Sequence, residues 1–149
     1  MEPITTQELF AQQFAGPIVV TLVYFAIYYA AIVNVLRVKV RLAKLHHGAG
    51  KAFDRYFGHD RELLAADRIQ LNMLEHMPIF LVLLWIHACT VSPQEATILG
   101  AIYLITRAIY PLLLPNRLGR NIPNRVLFAT FPGYAVLGIL GVRILMALV

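Results

Sequence analysis

Arg68, Gln70, Asn72, Glu75 and His76 crowd into one short stretch at the mouth of an apolar, bilayer-length run that continues to about Val91. A charge carried into hydrocarbon costs about 2.5 to 3.5 kcal/mol on insertion scales, so an intramembrane carboxylate marks a functional site by default. At about 100° per residue, Asn72 lies about 40° from Arg68 and Glu75 about 20° from it on the other side. The three form one stripe that descends roughly 10 Å toward the bilayer interior. Gln70 points about 160° away and His76 flanks the stripe, so Gln70 and Arg68 can touch one ligand only from different copies of the chain.

Two explanations compete for this stripe. Arg68 and Glu75 can form an internal ion pair with Asn72 between them, since polar residues also join membrane helices. Against that stands a surplus of cations at similar depth: Arg37 closing the first apolar run, Arg107 with Tyr110 near the end of the third, and Arg125 opening the fourth. Four arginines around one glutamate suit a small, flexible, net-negative ligand that carries carboxylates and an ammonium group. The ligand explanation is preferred.

The elements that must position these groups follow from composition. Of 149 residues, 59% are hydrophobic and 14% charged, and the mean hydropathy is +0.67, which puts the chain in the membrane class as a single membrane domain over residues 1–149. Four apolar stretches can each cross a core that needs about 20 residues: about 14–36, 70–91, 96–114 and 126–148. None alternates polar and apolar residues as barrel strands do, so the expected fold is all-α, an antiparallel four-helix bundle with short links between helices two, three and four.

The net charge of +5 would suit nucleic acid, but the placement of the bases excludes that partner. Arg37, Lys39, Arg41, Lys44, Lys51, Arg55, Arg61 and Arg68 fall between the first two spans, and Arg117, Arg120 and Arg125 between the last two. The N-terminal tail, which carries Glu2 and Glu8, and the turn at Ser92 to Glu95 have none. By the positive-inside pattern both basic loops face the cytoplasm and both termini the other side of a bacterial inner membrane or the endoplasmic reticulum. The first span has no basic residue before it and is expected to be retained rather than cleaved. Cys89 is the sole cysteine and reads as a packing residue, and no Cys/His spacing suggests a metal.

Local signals refine the spans. His46 to His59, with three glycines among charges, is expected to be the first cytoplasmic loop. The helical pattern resumes at Arg61 and can run to about Ala88, with Pro78 removing the ladder partner of the Leu74 carbonyl beside the polar cluster and favouring a kink. Ser92 is a candidate cap for the third helix, which should end at Pro111 and Pro115. Gly133, Gly138 and Gly141 allow close approach of the fourth.

The string Arg68-Ile69-Gln70-Leu71-Asn72-Met73-Leu74-Glu75, followed by Pro78, resembles the R-x-Q-x-N-x-x-E segment of the MAPEG family, membrane-associated proteins of eicosanoid and glutathione metabolism. Arg107-Ala108-Ile109-Tyr110, then Pro123-Asn124-Arg125 and Gly133-Tyr134, are similar to the microsomal glutathione S-transferases within it. The resemblance implies a homotrimer with glutathione bound between neighbours at the cytoplasmic side. Arg68, Asn72 and Glu75 would hold it from one subunit and Gln70 from the next, with Arg107, Tyr110 and Arg37 lining the site. Arg125 would stabilise the thiolate. Where several relatives carry Tyr after the glutamate, this chain has His76, which can still donate a hydrogen bond. Leu64, Ala65 and Leu114 also depart from the pattern, leaving the substrate open.

The activity so implied is a membrane-bound glutathione transferase, with glutathione as co-substrate, that conjugates lipophilic electrophiles arriving through the lipid. The same thiolate could reduce lipid hydroperoxides. Two alternatives stand beside it: a non-catalytic lipid-binding member of the family, and a channel or transporter subunit lined by the polar stripe.

Overall fold

The computed structural model describes residues 5–149 apart from 55, 57, 120 and 122, and not the side chain of Gln7. Arg55 and Arg120, counted above among the loop bases, and Glu2 therefore lie outside the described residues. Four helices carry the fold: α1 (Thr6–Gly48), α2 (Arg61–Thr90), α3 (Pro93–Leu113) and α4 (Leu127–Ala147), the last preceded by a 3-10 turn at Asn124–Val126. No strand occurs among the described residues. The four expected spans fall on these helices, each long and apolar enough to cross a membrane.

Each start has a local cause. Thr5 and Glu8 form a reciprocal capping box at α1, Asp60 Oδ1 accepts from the Glu62 and Leu63 amides at α2, and Ser92 Oγ accepts from the Glu95 amide at α3 as its sequence suggested. Helix α2 is continuous through Pro78, and α3 passes Pro111 to end at Leu113.

The first loop begins later than its sequence suggested. Helix α1 continues through His46 and His47 to Gly48, and the chain turns at Gly50, whose φ of 66° is left-handed. The reason is a second apolar seam: Val35, Val38 and Leu42 of α1 pack on Leu63 and Ala66 of α2 beyond the level of Arg37. With 43 residues, α1 is about 65 Å long, roughly twice the hydrocarbon thickness. Its last turns therefore stand clear of the bilayer with the start of α2.

Successive helices alternate in direction. Helices α2 and α3 each pack on all the others, whereas α1 and α4 do not touch, so α2 and α3 form the waist of the bundle. The buried centre is aromatic: Phe80 stacks on Tyr103 with ring centroids 4.1 Å apart, and Tyr24 closes the group by donating its hydroxyl to the Met73 carbonyl at 2.7 Å. Gly100 lets α3 approach, since a Cβ there would sit 2.7 Å from Val20 Cγ1. The outer surface is apolar too, with Leu22, Val82, Ile105, Phe128 and Val142 exposed, as a bundle solvated by lipid requires.

Arg143, inside the fourth span, makes a two-pronged contact with Glu95, Nε to Oε1 and Nη2 to Oε2, both at 2.9 Å. The fully buried His87 brings Nε2 to 3.6 Å from the same carboxylate. The Arg143–Glu95 pair fastens α3 to α4 at the rim away from the basic loops, with His87 of α2 beside it. At the basic rim, the Leu118 amide donates to the Arg61 carbonyl at 3.0 Å and ties the α3–α4 connection to the start of α2.

Candidate functional site

Asn72 and Arg107 meet inside the bundle. Arg107 is 1% exposed and Asn72 6%, and Arg107 Nη1 donates to Asn72 Oδ1 at 2.9 Å. The remaining guanidinium groups are spread over neutral partners: Nε reaches Thr106 Oγ1 at 3.3 Å and Nη2 the Ala129 carbonyl at 3.4 Å. The Tyr103 ring lies 5.0 Å from Cζ, a cation–π distance. Among the described residues no carboxylate pairs with this cation. Gly133 makes room for it, because a Cβ at that position would stand 2.5 Å from Arg107 Nη2.

This arrangement fixes Asn72. A guanidinium can only donate, so the atom facing Arg107 must be the amide oxygen. The Nδ2 group is left with two N–H donors and no partner among the described residues. An asparagine that could present either end to a ligand is thereby set as a donor.

Arg68 and Glu75 lie on the outward part of the stripe. Their closest approach is 3.8 Å between Nη1 and Oε1, with side chains 40% and 53% exposed. The internal ion pair is therefore present but loose, and both groups remain reachable. His76 Nδ1 lies 2.8 Å from the Asn72 carbonyl. A carbonyl can only accept, so the proton sits on Nδ1 and Nε2 is free. The imidazole stacks on Tyr134 of α4 at 5.4 Å.

Gln70 faces the other side of α2, where its Nε2 donates to the Tyr28 hydroxyl of α1 at 3.3 Å. The angular separation from Arg68 is thus realised, and one chain does not bring the two together. Tyr110 is buried against Leu114, Val126 and Ala129. Arg125, in the 3-10 turn, is exposed, and its side chain makes no hydrogen bond or ion pair among the described residues. Helices α2 and α4 run parallel, with Arg107 joining Asn72 to Ala129, so one turn back along each helix sets Arg68 and Arg125 at about the same height. Arg37 is exposed on the α1 side and borders a cavity of about 370 Å³ with Arg41, Glu62 and Asn116.

In one subunit Arg107 lies within the bundle, Arg68 is part-exposed on α2, Arg125 is exposed in the turn before α4, and Arg37 is exposed on α1 beside its cavity. A sequence profile of the MAPEG family matches residues 17–146. The chain belongs to the MAPEG family. No curated protein matches it. Membership and the four apolar helices make this MAPEG protein an integral, multi-pass membrane protein of a family that includes glutathione transferases among other members.

The contacts made by several residues in this MAPEG protein escaped sequence reasoning. Thr106, Tyr103 and Gly133 shape the Arg107 niche, Tyr134 supports His76, and Tyr28 holds Gln70. Tyr103 stands one turn before Arg107 on the same helix face, a spacing that was available as a signal. Thr106 is the residue before Arg107 on α3, and the others come from neighbouring helices.

Proposed function

We propose that this MAPEG protein is a glutathione transferase. Three copies assemble with the basic loops in the cytoplasm, and glutathione lies between neighbours at that rim. Arg68, the Asn72 amide and Glu75 grip it from one subunit: the arginine takes a carboxylate, Nδ2 donates to an oxygen, and the glutamate takes the ammonium group. His76 and Tyr110 border this place. Gln70 and Arg37, which face the α1 side of their own chain, serve the neighbour's glutathione, which agrees with the opposed faces of α2.

The observation that carries this reading is the fixed donor end of Asn72 beside an exposed Arg68 and Glu75. A helix that needed only a structural ion pair would gain nothing from a buried guanidinium spent on orienting an amide.

Arg125 supplies the chemistry. A thiol of pKa near 8.5 is only a few per cent ionised at neutral pH, and the thiolate is the nucleophile. An adjacent guanidinium, unpaired and charged at every accessible pH, raises the ionised fraction. The thiol proton passes to water at the rim. The sulfur then forms a bond to an electrophilic carbon of a lipophilic substrate while the leaving group departs with its electron pair. The exposed apolar flanks of the helices give such substrates lateral access from the bilayer.

Replacing Glu75 with alanine should weaken glutathione binding by at least about tenfold, which is about 1.4 kcal/mol, in calorimetric titration of detergent-purified protein. Unaltered affinity would return Arg68 and Glu75 to a simple ion pair.

A further inference from the structure

The cavity beside Arg37 does not end at the polar rim. A second, apolar cavity of about 200 Å³ lies below it, lined by Ile27, Ala30, Ala31, Met73 and Pro111. Asn34 and Ile69 line both, so the two adjoin. Along α1 the bordering residues recur at intervals of three and four, from Ile27 through Asn34 to Arg41, which is one helix face. From Ile27 to Arg41 the helix rises about 21 Å, close to the depth of one leaflet with its headgroups, half of about 40 to 45 Å.

We propose that this seam between α1, α2 and the end of α3 holds one anionic phospholipid of the surrounding bilayer, its phosphate at Arg37 and Arg41 and one acyl chain in the apolar lower part. Arg41 contacts Glu62, whereas Arg37 has no partner among the described residues. The mouth therefore carries one uncompensated positive charge, which matches the single negative charge of a phosphodiester. Arg37 follows directly on the charge-free run Ile18 to Leu36, which places it at headgroup height. Asn34, the one strongly polar side chain in that run, falls at the junction of the two cavities, where the glycerol ester carbonyls of such a lipid lie. The apolar section admits one chain, and the other stays in the bilayer. An anionic headgroup is preferred to a zwitterionic one because a choline would bring a third cation beside two arginines. The site shares Arg37 with the transferase reading, which gives that guanidinium to a neighbour's glutathione, so the lipid is assigned to the subunit that holds no glutathione.

The test uses the full chain in mild detergent without glutathione, titrated with phosphatidylglycerol or phosphatidylcholine and read by native mass spectrometry. One phosphatidylglycerol per subunit should be retained, at least fivefold over phosphatidylcholine. The paired change Arg37→Gln and Arg41→Gln should remove that preference. Ala30→Phe, at an exposed position that fills the apolar section, should lower phosphatidylglycerol retention at least fivefold even if the arginine variant fails to fold. Glycerol phosphate should not compete. Equal retention of the two lipids, retention unaffected by Ala30→Phe, or displacement by glycerol phosphate would overturn the proposal. Since glutathione is absent throughout, failure here leaves the transferase reading standing, and the reverse also holds.

Discussion

The Arg125→Leu variant should bind glutathione within a few-fold of the wild-type affinity and yet lose most of its conjugating activity at neutral pH. Arg125 is exposed and bonded to nothing else among the described residues, so its removal leaves the bundle intact. The loss can be sized from ionisation alone. If the guanidinium lowers the thiol pKa by about two units, about 2.7 kcal/mol, its removal returns a mostly ionised thiol to a few per cent thiolate, roughly a 20- to 30-fold drop in rate at pH 7. The sign of the pH dependence follows. The bound thiol has its pKa depressed by the arginine, so the advantage is greatest below the free thiol's pKa and disappears as pH rises past about 8.5, where the thiol ionises unaided. Rates of wild type and variant should therefore converge in alkaline buffer. A deficit of constant size across the pH range would assign Arg125 to substrate binding or to lipid headgroups instead.

Asn72→Leu should be the most damaging single change to folding. It leaves a guanidinium that is 1% exposed without its shortest acceptor. Removing a neutral acceptor from a buried charged donor costs about 1.5 to 3 kcal/mol, because the guanidinium stays buried with one hydrogen bond fewer. The reciprocal change, Arg107→Met, differs in kind. It frees the Asn72 and Ala129 oxygens at about 1 to 3 kcal/mol each but also removes a cation whose insertion costs about 2.5 to 3.5 kcal/mol, so the two effects largely cancel. Arg107→Met should therefore melt closer to wild type than Asn72→Leu, and adding it to Asn72→Leu should restore part of the lost stability. Thermal unfolding of the three variants in one detergent tests this ordering. Glutathione binding should be lost in all three, since the amide is either absent or free to turn its oxygen outward. Additive melting shifts would show that the two residues do not act as a unit.

The four crossings were legible because each is a predominantly apolar run of bilayer length, and the opposed faces of Gln70 and Arg68 followed from helical spacing alone. The onset of the first loop was not. Charges and glycines from His46 to His59 read as loop, but the helix continues to Gly48, and before that point Val38 and Leu42 find Leu63 and Ala66 opposite them, a seam visible only when the start of α2 lies alongside. Arg107 was legible as an anomaly and not as to its direction. One arginine in an apolar run can face a ligand or the interior, and the choice here rests on Asn72, Tyr103, Ala129 and Gly133, from three different helices. Arg143 and Glu95 were likewise separate in sequence and meet across α3 and α4. In each case spacing within one helix was readable, whereas contacts between helices needed the bundle.

The claim on which the rest depends is that the protein binds glutathione and ionises it. Ultraviolet difference absorbance of the thiolate, recorded as glutathione is added to the purified wild-type protein at neutral pH, measures both. The expected result is a saturable thiolate signal, with S-methylglutathione displacing glutathione and giving no signal of its own. The absence of any saturable signal or competition, in protein that remains folded, would contradict it.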